Sequence, residues 1–259
     1  MIRGLWSAAS SVNASPAQQS IPTSFMRYLI NIDTVEGWFS RTSALVMAQC
    51  LSIQQSEGIT GSIAEIGIHH GKSFLALACA ARPGERLFAI DVFERQDLNV
   101  DGSGCGNREI FERNLRTFAP DANVTILPMS SVEVRGRERE IFGAQGLRFL
   151  SIDGGHTREL TRNDLEIADA ALVDGGICCV DDIFNFEWPG VISGVFEFLS
   201  QNSNLVPIAY FSNKLYWSRP AFLNLRRNQL REIFGSKLLK KDQEFGAHQI
   251  DVYAELLTQ

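Results

Sequence analysis

The sequence predicts an α/β fold with a mostly parallel sheet and helices on both faces. Five short apolar runs, 62–66, 87–91, 124–127, 148–152 and 176–180, start 25, 37, 24 and 28 residues apart, which is the spacing of repeated strand–helix units. The stretches between them are amphipathic: Ile110, Phe111, Leu115 and Phe118 share one helical face, and Leu165, Ala168 and Leu172 another. The runs themselves are apolar on both sides, which suits strands covered by helices on either face.

Taken in order, residues 1–24 are rich in Ser, Ala and Gln, hold two prolines and lack a periodic apolar face, so a flexible N-terminal arm is expected. From Phe25 to about Gln55 the pattern is helical, broken at Glu36-Gly37-Trp38, with Leu45, Ala48 and Leu51 on one stripe. After the fifth strand a helix is expected near 190–199. Leu205–Phe211, Ser212-Asn213-Lys214 and Leu215–Ser218 then read as strand, turn and strand. Residues 219–259 are expected to add one or two amphipathic helices, on Leu223, Leu230 and Phe234 and on Ile250, Tyr253 and Leu257. No repeat or linker divides 25–218 from this extension, so a single domain with an N-terminal helical cap is expected.

Composition narrows the function classes. The 259 residues are 45% hydrophobic, enough for one large core. Thirty acids against 24 Lys and Arg give a net charge of −6 with no basic stripe, which argues against a nucleic-acid surface. Apolar runs such as Phe74–Ala81 fall far short of a membrane span, and the start MIRGLWSAAS lacks a signal-peptide core. Five scattered cysteines without a CxxC suit free thiols in a reducing compartment, so a soluble, cytoplasmic protein is expected. The apolar stripes at both ends leave a homo-oligomer open.

The segment Ala64-Glu65-Ile66-Gly67-Ile68-His69-His70-Gly71-Lys72-Ser73 follows a strand and opens a helix. Its glycines let backbone pass close to a ligand, and a helix N-terminus offers free N–H groups. A Walker A loop needs four residues between its first Gly and Gly-Lys-Ser, and only three separate Gly67 from Gly71. Otherwise Ile177–Asp182 would pass for the Walker B strand. A dinucleotide fingerprint needs a glycine where this chain has Glu65. The remaining reading, E-x-G-x-x-x-G, sets an acid toward a cationic ligand. S-adenosylmethionine, with an ammonium and a sulfonium, fits that chemistry. Asp91, about twenty residues past the loop at a strand end, suits the ribose hydroxyls; alone it could equally cap a helix. The bland alternative is a strand–helix turn with no ligand.

Two acidic strand ends follow, Ile152-Asp153-Gly154-Gly155-His156 and Val180-Asp181-Asp182. His156 lies 3 residues from Asp153, and Asp181 and Asp182 lie 28 and 29 from it. Three carboxylates converging at one sheet edge repel one another unless a cation lies between them, and hard oxygens suit Mg²⁺ or another divalent ion. The alternatives are helix-capping acids and a hydrogen-bonded loop histidine.

On these residues, from Glu36-Gly37-Trp38 through the Glu65–Ser73 loop and Asp91 to Asp181-Asp182, the chain over about 35–218 resembles the class I S-adenosylmethionine-dependent methyltransferases. Within them it resembles the metal-dependent O-methyltransferases related to catechol O-methyltransferase and to enzymes methylating macrolide and aminocoumarin sugars. The resemblance implies a Rossmann-like, seven-stranded, mostly parallel sheet whose last strand is antiparallel. It implies cofactor contacts at Glu65, Gly67, Gly71, Ser73, Asp91, Ser130, Ser131 and Asp153, with the cofactor carboxylate at Ser73 and the adenine near Ser130 or Ser131. It further implies Mg²⁺ ligands at Asp153, Asp181 and Asp182, a general base at His156, and a small-molecule hydroxyl acceptor of vicinal-diol, sugar or catechol type from natural-product biosynthesis. The chain departs from the catechol enzymes in carrying His156 for Lys and Asp182 for Asn, and from some sugar enzymes in carrying Gly155 where they have Asp. A metal-free methyltransferase, or a cofactor-binding protein without catalysis, competes. Three features keep open roles: the Gly-rich loop Phe93–Asn107, the pair His69-His70 (cofactor contact or loop packing), and Trp188-Pro189-Gly190 (acceptor wall or turn).

Overall fold

A computed structural model describes residues 21–256. Two N-terminal helices, α1 (Thr23–Asn31) and α2 (Arg41–Ser56), precede alternating strands and helices. These are β1 (Ser62–Ile66), α3 (Lys72–Ala80), β2 (Arg86–Asp91), α4 (Arg108–Phe118), β3 (Asn123–Pro128), α5 (Glu138–Phe142), β4 (Leu147–Ile152), α6 (Arg158–Ala171), β5 (Leu172–Val180) and α7 (Pro189–Leu199). The chain closes with β6 (Val206–Phe211), β7 (Lys214–Ser218), α8 (Leu223–Phe234), β8 (Leu238–Phe245) and β9 (His248–Tyr253). Among the described residues no helix is long and apolar enough to cross a membrane.

All strands join one sheet in the order β3-β2-β1-β4-β5-β7-β6-β9-β8. β1 to β5 pair in parallel, and β7 lies antiparallel between β5 and β6. Buried side chains of α1, α2, α3, α4 and α8, among them Phe25, Met47, Phe74, Phe111 and Leu230, pack on one face. Phe142, Leu165, Val195 and Phe198 from α5, α6 and α7 cover the other. Burial on both faces is why each inner strand reads as a continuous apolar run.

The expected fold class is present, with two corrections. Among the described residues the sheet has nine strands rather than seven, and the extension after Ser218 is not purely helical: α8 is followed by the β8–β9 hairpin. Ile250 and Tyr253, three residues apart, suit one helical face, yet in β9 they point to opposite faces, one into each core layer. A tight turn at Gly246 (φ +61°) and pairing of β9 with the open side of β6 decide the outcome. β5 also begins at Leu172, which the periodicity places on the preceding helix. Of the expected N-terminal arm, residues 1–20 lie outside the described residues, while Thr23 and Ser24 already belong to α1.

The added hairpin is tied to α8 by charge. Arg231 grips Asp251, whose side chain is fully buried, with two hydrogen bonds of 2.6 and 2.8 Å, and reaches Asp242 at 2.8 Å. Removing one partner of a buried pair leaves an uncompensated charge. Arg231→Ala is therefore expected to destabilise the fold by about 3–5 kcal/mol, read as a lowered midpoint in denaturant unfolding. Arg231→Ala unfolding at the wild-type midpoint would contradict this account of the hairpin.

Candidate active site

The loop between β1 and α3 is shaped by two glycines. Gly67 has φ +86°, and a Cβ there would lie 1.7 Å from the carbonyl oxygen of Asp153, so the ends of β1 and β4 can approach only with glycine. Gly71, φ +89°, starts α3 against the ring of Phe111, 2.5 Å from where a Cβ would sit. Asp91 fastens the loop: one oxygen accepts from the backbone N–H of Ile68 (2.6 Å) and His69 (2.8 Å), the other from Phe93 (2.6 Å). A carboxylate accepts about four hydrogen bonds, so Asp91 keeps capacity for a hydroxyl.

Glu65, two residues before Gly67, is completely buried, and among the described residues no donor meets hydrogen-bond geometry at either of its oxygens, although the Ser151 and Ser73 hydroxyls lie nearby. Burial pushes its carboxyl up to about 7; the Lys214 charge and the hydroxyls of Ser151 and Ser73 offset only part of that. An orphaned buried acid is the complement of a ligand ammonium. At the next strands, Ser130 caps a short 3-10 turn through Val132, and Ser131 accepts from Asn163 at 3.4 Å.

At the ends of β4 and β5 the acids converge. His156 Nε2 lies 3.1 Å from Asp182 and Nδ1 lies 3.1 Å from Asp101, which also accepts the His156 backbone N–H. The imidazole stacks on Trp188 with ring centres 4.4 Å apart. Burial lowers the imidazole pKa, but the bond to Asp182 and the nearby carboxylates raise it more, so the net shift is upward. Burial likewise pushes Asp182 up, yet bonds from His156, Asn185 and Asn213 hold it at about 2. Asp181 is paired with the ammonium of Lys214, which also reaches Asp153 at 3.4 Å.

These groups share one cavity of about 610 Å³. Gly67, Ser73, Asp91, Ser130, Ser131, Asp153, His156, Asp181 and Asp182 line it; Glu65 and Gly71 lie behind its wall. The Phe93–Asn107 loop forms one side, through Asn99, Val100 and Ser103 among others. His69 lines it too, stacked on His70 at 3.8 Å, and His70 faces Glu36 at 3.4 Å.

The donors able to meet at one point are Asp153, His156 and Asp182, whose ligand atoms lie within 4.8 Å of one another. Asp181, expected as the third ligand, is committed to Lys214. Lys214 thus meets two of the three aspartates, Asp181 and Asp153, while Asp182 is met by His156, Asn185 and Asn213. Sequence reasoning missed Lys214, Asn213, Asn185 and Asp101. The one signal was a lysine opening the otherwise apolar run Lys214-Leu-Tyr-Trp, since lysine is almost never buried unpaired.

Residues 64–183 match a family model described as a methyltransferase domain. That span holds β1 to β5 and with them the Gly67 loop, Asp91, Asp153, His156, Asp181 and Asp182. That segment therefore matches a methyltransferase domain, and solved O-methyltransferases share the fold around it. The O-methyltransferase NovP shares the fold with a TM-score of 0.57 at 18% identity, over 70% of this chain and 80% of its own. CalS11, a TDP-rhamnose 3'-O-methyltransferase of calicheamicin biosynthesis, gives 0.50 at 17%, over 77% and 82%. TomG of Streptomyces achromogenes, an O-methyltransferase of tomaymycin synthesis solved with S-adenosylmethionine, gives 0.53 at 15%, over 75% and 88%. No curated protein matches the chain.

Glu65 generates a pH prediction. Its carboxyl is raised from 4.5 in the unfolded chain to about 7 in the fold, so the folded state binds the proton more tightly. Its stabilising effect is complete below 4.5 and is lost as pH rises through 7. Glu65→Gln is thus expected to flatten the loss of ligand-free stability between these pH values, a term on the order of 3 kcal/mol. Denaturant midpoints measured across pH check it; an unchanged slope in Glu65→Gln would refute it.

Proposed function

We propose that the chain transfers a methyl group from S-adenosylmethionine to a hydroxyl oxygen of a small molecule, of vicinal-diol, sugar or catechol-like class. The observation that carries this reading is the single cavity joining the Gly67–Asp91 loop to His156. Bound S-adenosylmethionine supplies a methyl group already activated on a sulfonium. Glu65 offers its unpaired carboxylate to the ligand ammonium, Ser73 at the start of α3 faces the ligand carboxylate, Asp91 the ribose, and Ser130 and Ser131 the adenine end. The protein's remaining task is to align an oxygen and remove its proton.

His156 takes that proton. Asp101 accepts the Nδ1–H and fixes the ring so that Nε2 faces the cavity, and Trp188 holds the ring plane. In the free protein Nε2 faces Asp182, so an acceptor hydroxyl must displace that contact. A second reading draws on the convergence of Asp153, His156 and Asp182: a divalent cation held there would stabilise the acceptor oxygen as an alkoxide or phenolate, and His156 would be a ligand rather than the base.

The reading is tested by calorimetric titration with S-adenosylhomocysteine, expected to bind once per chain; no binding would overturn it. His156→Ala is expected to keep that isotherm and lower turnover by about 10²–10⁴-fold, as loss of a general base does. Unchanged turnover would remove His156 from the chemistry. Because the surrounding carboxylates favour the imidazolium, activity should rise with pH through a midpoint above the ordinary 6.5. A rate already at its plateau below that value would contradict the assignment of His156 as base.

A further inference from the structure

The turn between β6 and β7 lies at the same edge of the sheet as the end of β5 and reaches the acidic cluster there. Ser212 and Asn213 both adopt left-handed backbone, φ +42° and +73°, the conformation of a two-residue hairpin turn matched to strand twist. For Ser212 this is a strained choice. The N-terminus of α2 clamps the turn from behind: Ser40 Oγ lies 2.7 Å from Ser212 Oγ, and Ser43 Oγ donates to the Ser212 carbonyl at 3.2 Å. The turn delivers two donors together. Asn213 Nδ2 donates to Asp182 at 2.7 Å, and the Lys214 ammonium is paired with Asp181 and lies 3.4 Å from Asp153.

Lys214 is 1% exposed, and its charge also sits 5.5 Å from the centre of the Phe39 ring. A lysine this deeply enclosed would be costly without carboxylates, and the carboxylates would be costly without it. The ammonium lies where an ion touching both Asp153 and Asp181 would have to lie. An ion held instead by Asp153, His156 and Asp182 would face a fixed like charge in direct contact with one of its ligands.

We propose that Lys214 is the resident cation of this site: it fills the neutralising position of a divalent ion, and the chain's methyl transfer runs without added metal. The proposal rests on the methyl-transfer reading above. It assigns Lys214 a positioning role, acting through Asp153 and Asp181 on the floor of the cavity.

The test compares wild type, Lys214→Met and Lys214→Arg, each stripped with chelator and titrated separately with S-adenosylhomocysteine, Mg²⁺ and Mn²⁺. The expected result is an S-adenosylhomocysteine isotherm in all three and no Mg²⁺ or Mn²⁺ isotherm in wild type or Lys214→Arg. Lys214→Met is expected to bind a single Mn²⁺ about ten-fold or more tighter than wild type, since the like charge is gone. That gain should disappear when Asp181→Asn is added. Tight Mn²⁺ binding by wild type or Lys214→Arg would overturn the proposal, as would a Lys214→Met chain that binds S-adenosylhomocysteine but gains no Mn²⁺ site. If Lys214→Met does not fold, the wild-type and Lys214→Arg titrations decide by the same criterion. Failure of wild type to bind S-adenosylhomocysteine would instead remove the methyltransferase reading and leave the metal comparison intact.

Discussion

Carboxylates gathered at the carboxyl ends of parallel strands must find positive partners, and the arrangement of this protein follows from how each one does. A buried unpaired charge costs several kcal/mol, so each acid at this edge either acquires donors or shifts its protonation. Asp91 takes three backbone N–H groups and becomes the clasp of the first loop. Asp182 takes the amides of Asn185 and Asn213 and the ring of His156, while Asp181 and Asp153 share Lys214. Glu65 is met by no donor in hydrogen-bond geometry among the described residues, and burial raises its carboxyl to about 7.

One cavity joins the Gly67 bend and Asp91 to His156 and the carboxylates around it. At the bend, Gly67 lies so close to the Asp153 carbonyl that any side chain there would force the two strand ends apart. The imidazole is held on three sides, by Asp101, Asp182 and Trp188, so its orientation is set before any acceptor arrives.

Strand direction explains where the unexpected residues come from. β7 runs against β5, with Val180 opposite Leu215, so the first residue of β7 lies beside the last residues of β5. A parallel strand in that place would put its end, not its start, at the acidic edge. Lys214 therefore meets Asp181 because of an antiparallel pairing, and Asn213 arrives with it in the turn. Asp101 arrives by a different route, from the long loop between β2 and α4 that folds back over the cavity to reach the His156 backbone.

The sequence by itself determined the seven strands from β1 to β7, because a strand buried on both faces must be apolar throughout and its flanking helices must be periodic. It also determined the clustering of Gly67, Asp91, Asp153, His156, Asp181 and Asp182, since the ends of consecutive parallel strands necessarily share one edge. Local pattern was insufficient where two geometries accept the same spacing: Ile250 and Tyr253 satisfy a helix face or two faces of a strand, and only the open side of β6 selects the strand. It was insufficient again for charge. Which partners the carboxylates take depends on contacts 33 residues apart for Asp181 and Lys214, and 55 apart for Asp101 and His156. Tertiary structure decided that the partner is a lysine of this chain, because only the folded hairpin brings an ammonium within reach of buried oxygens that no local pairing can satisfy.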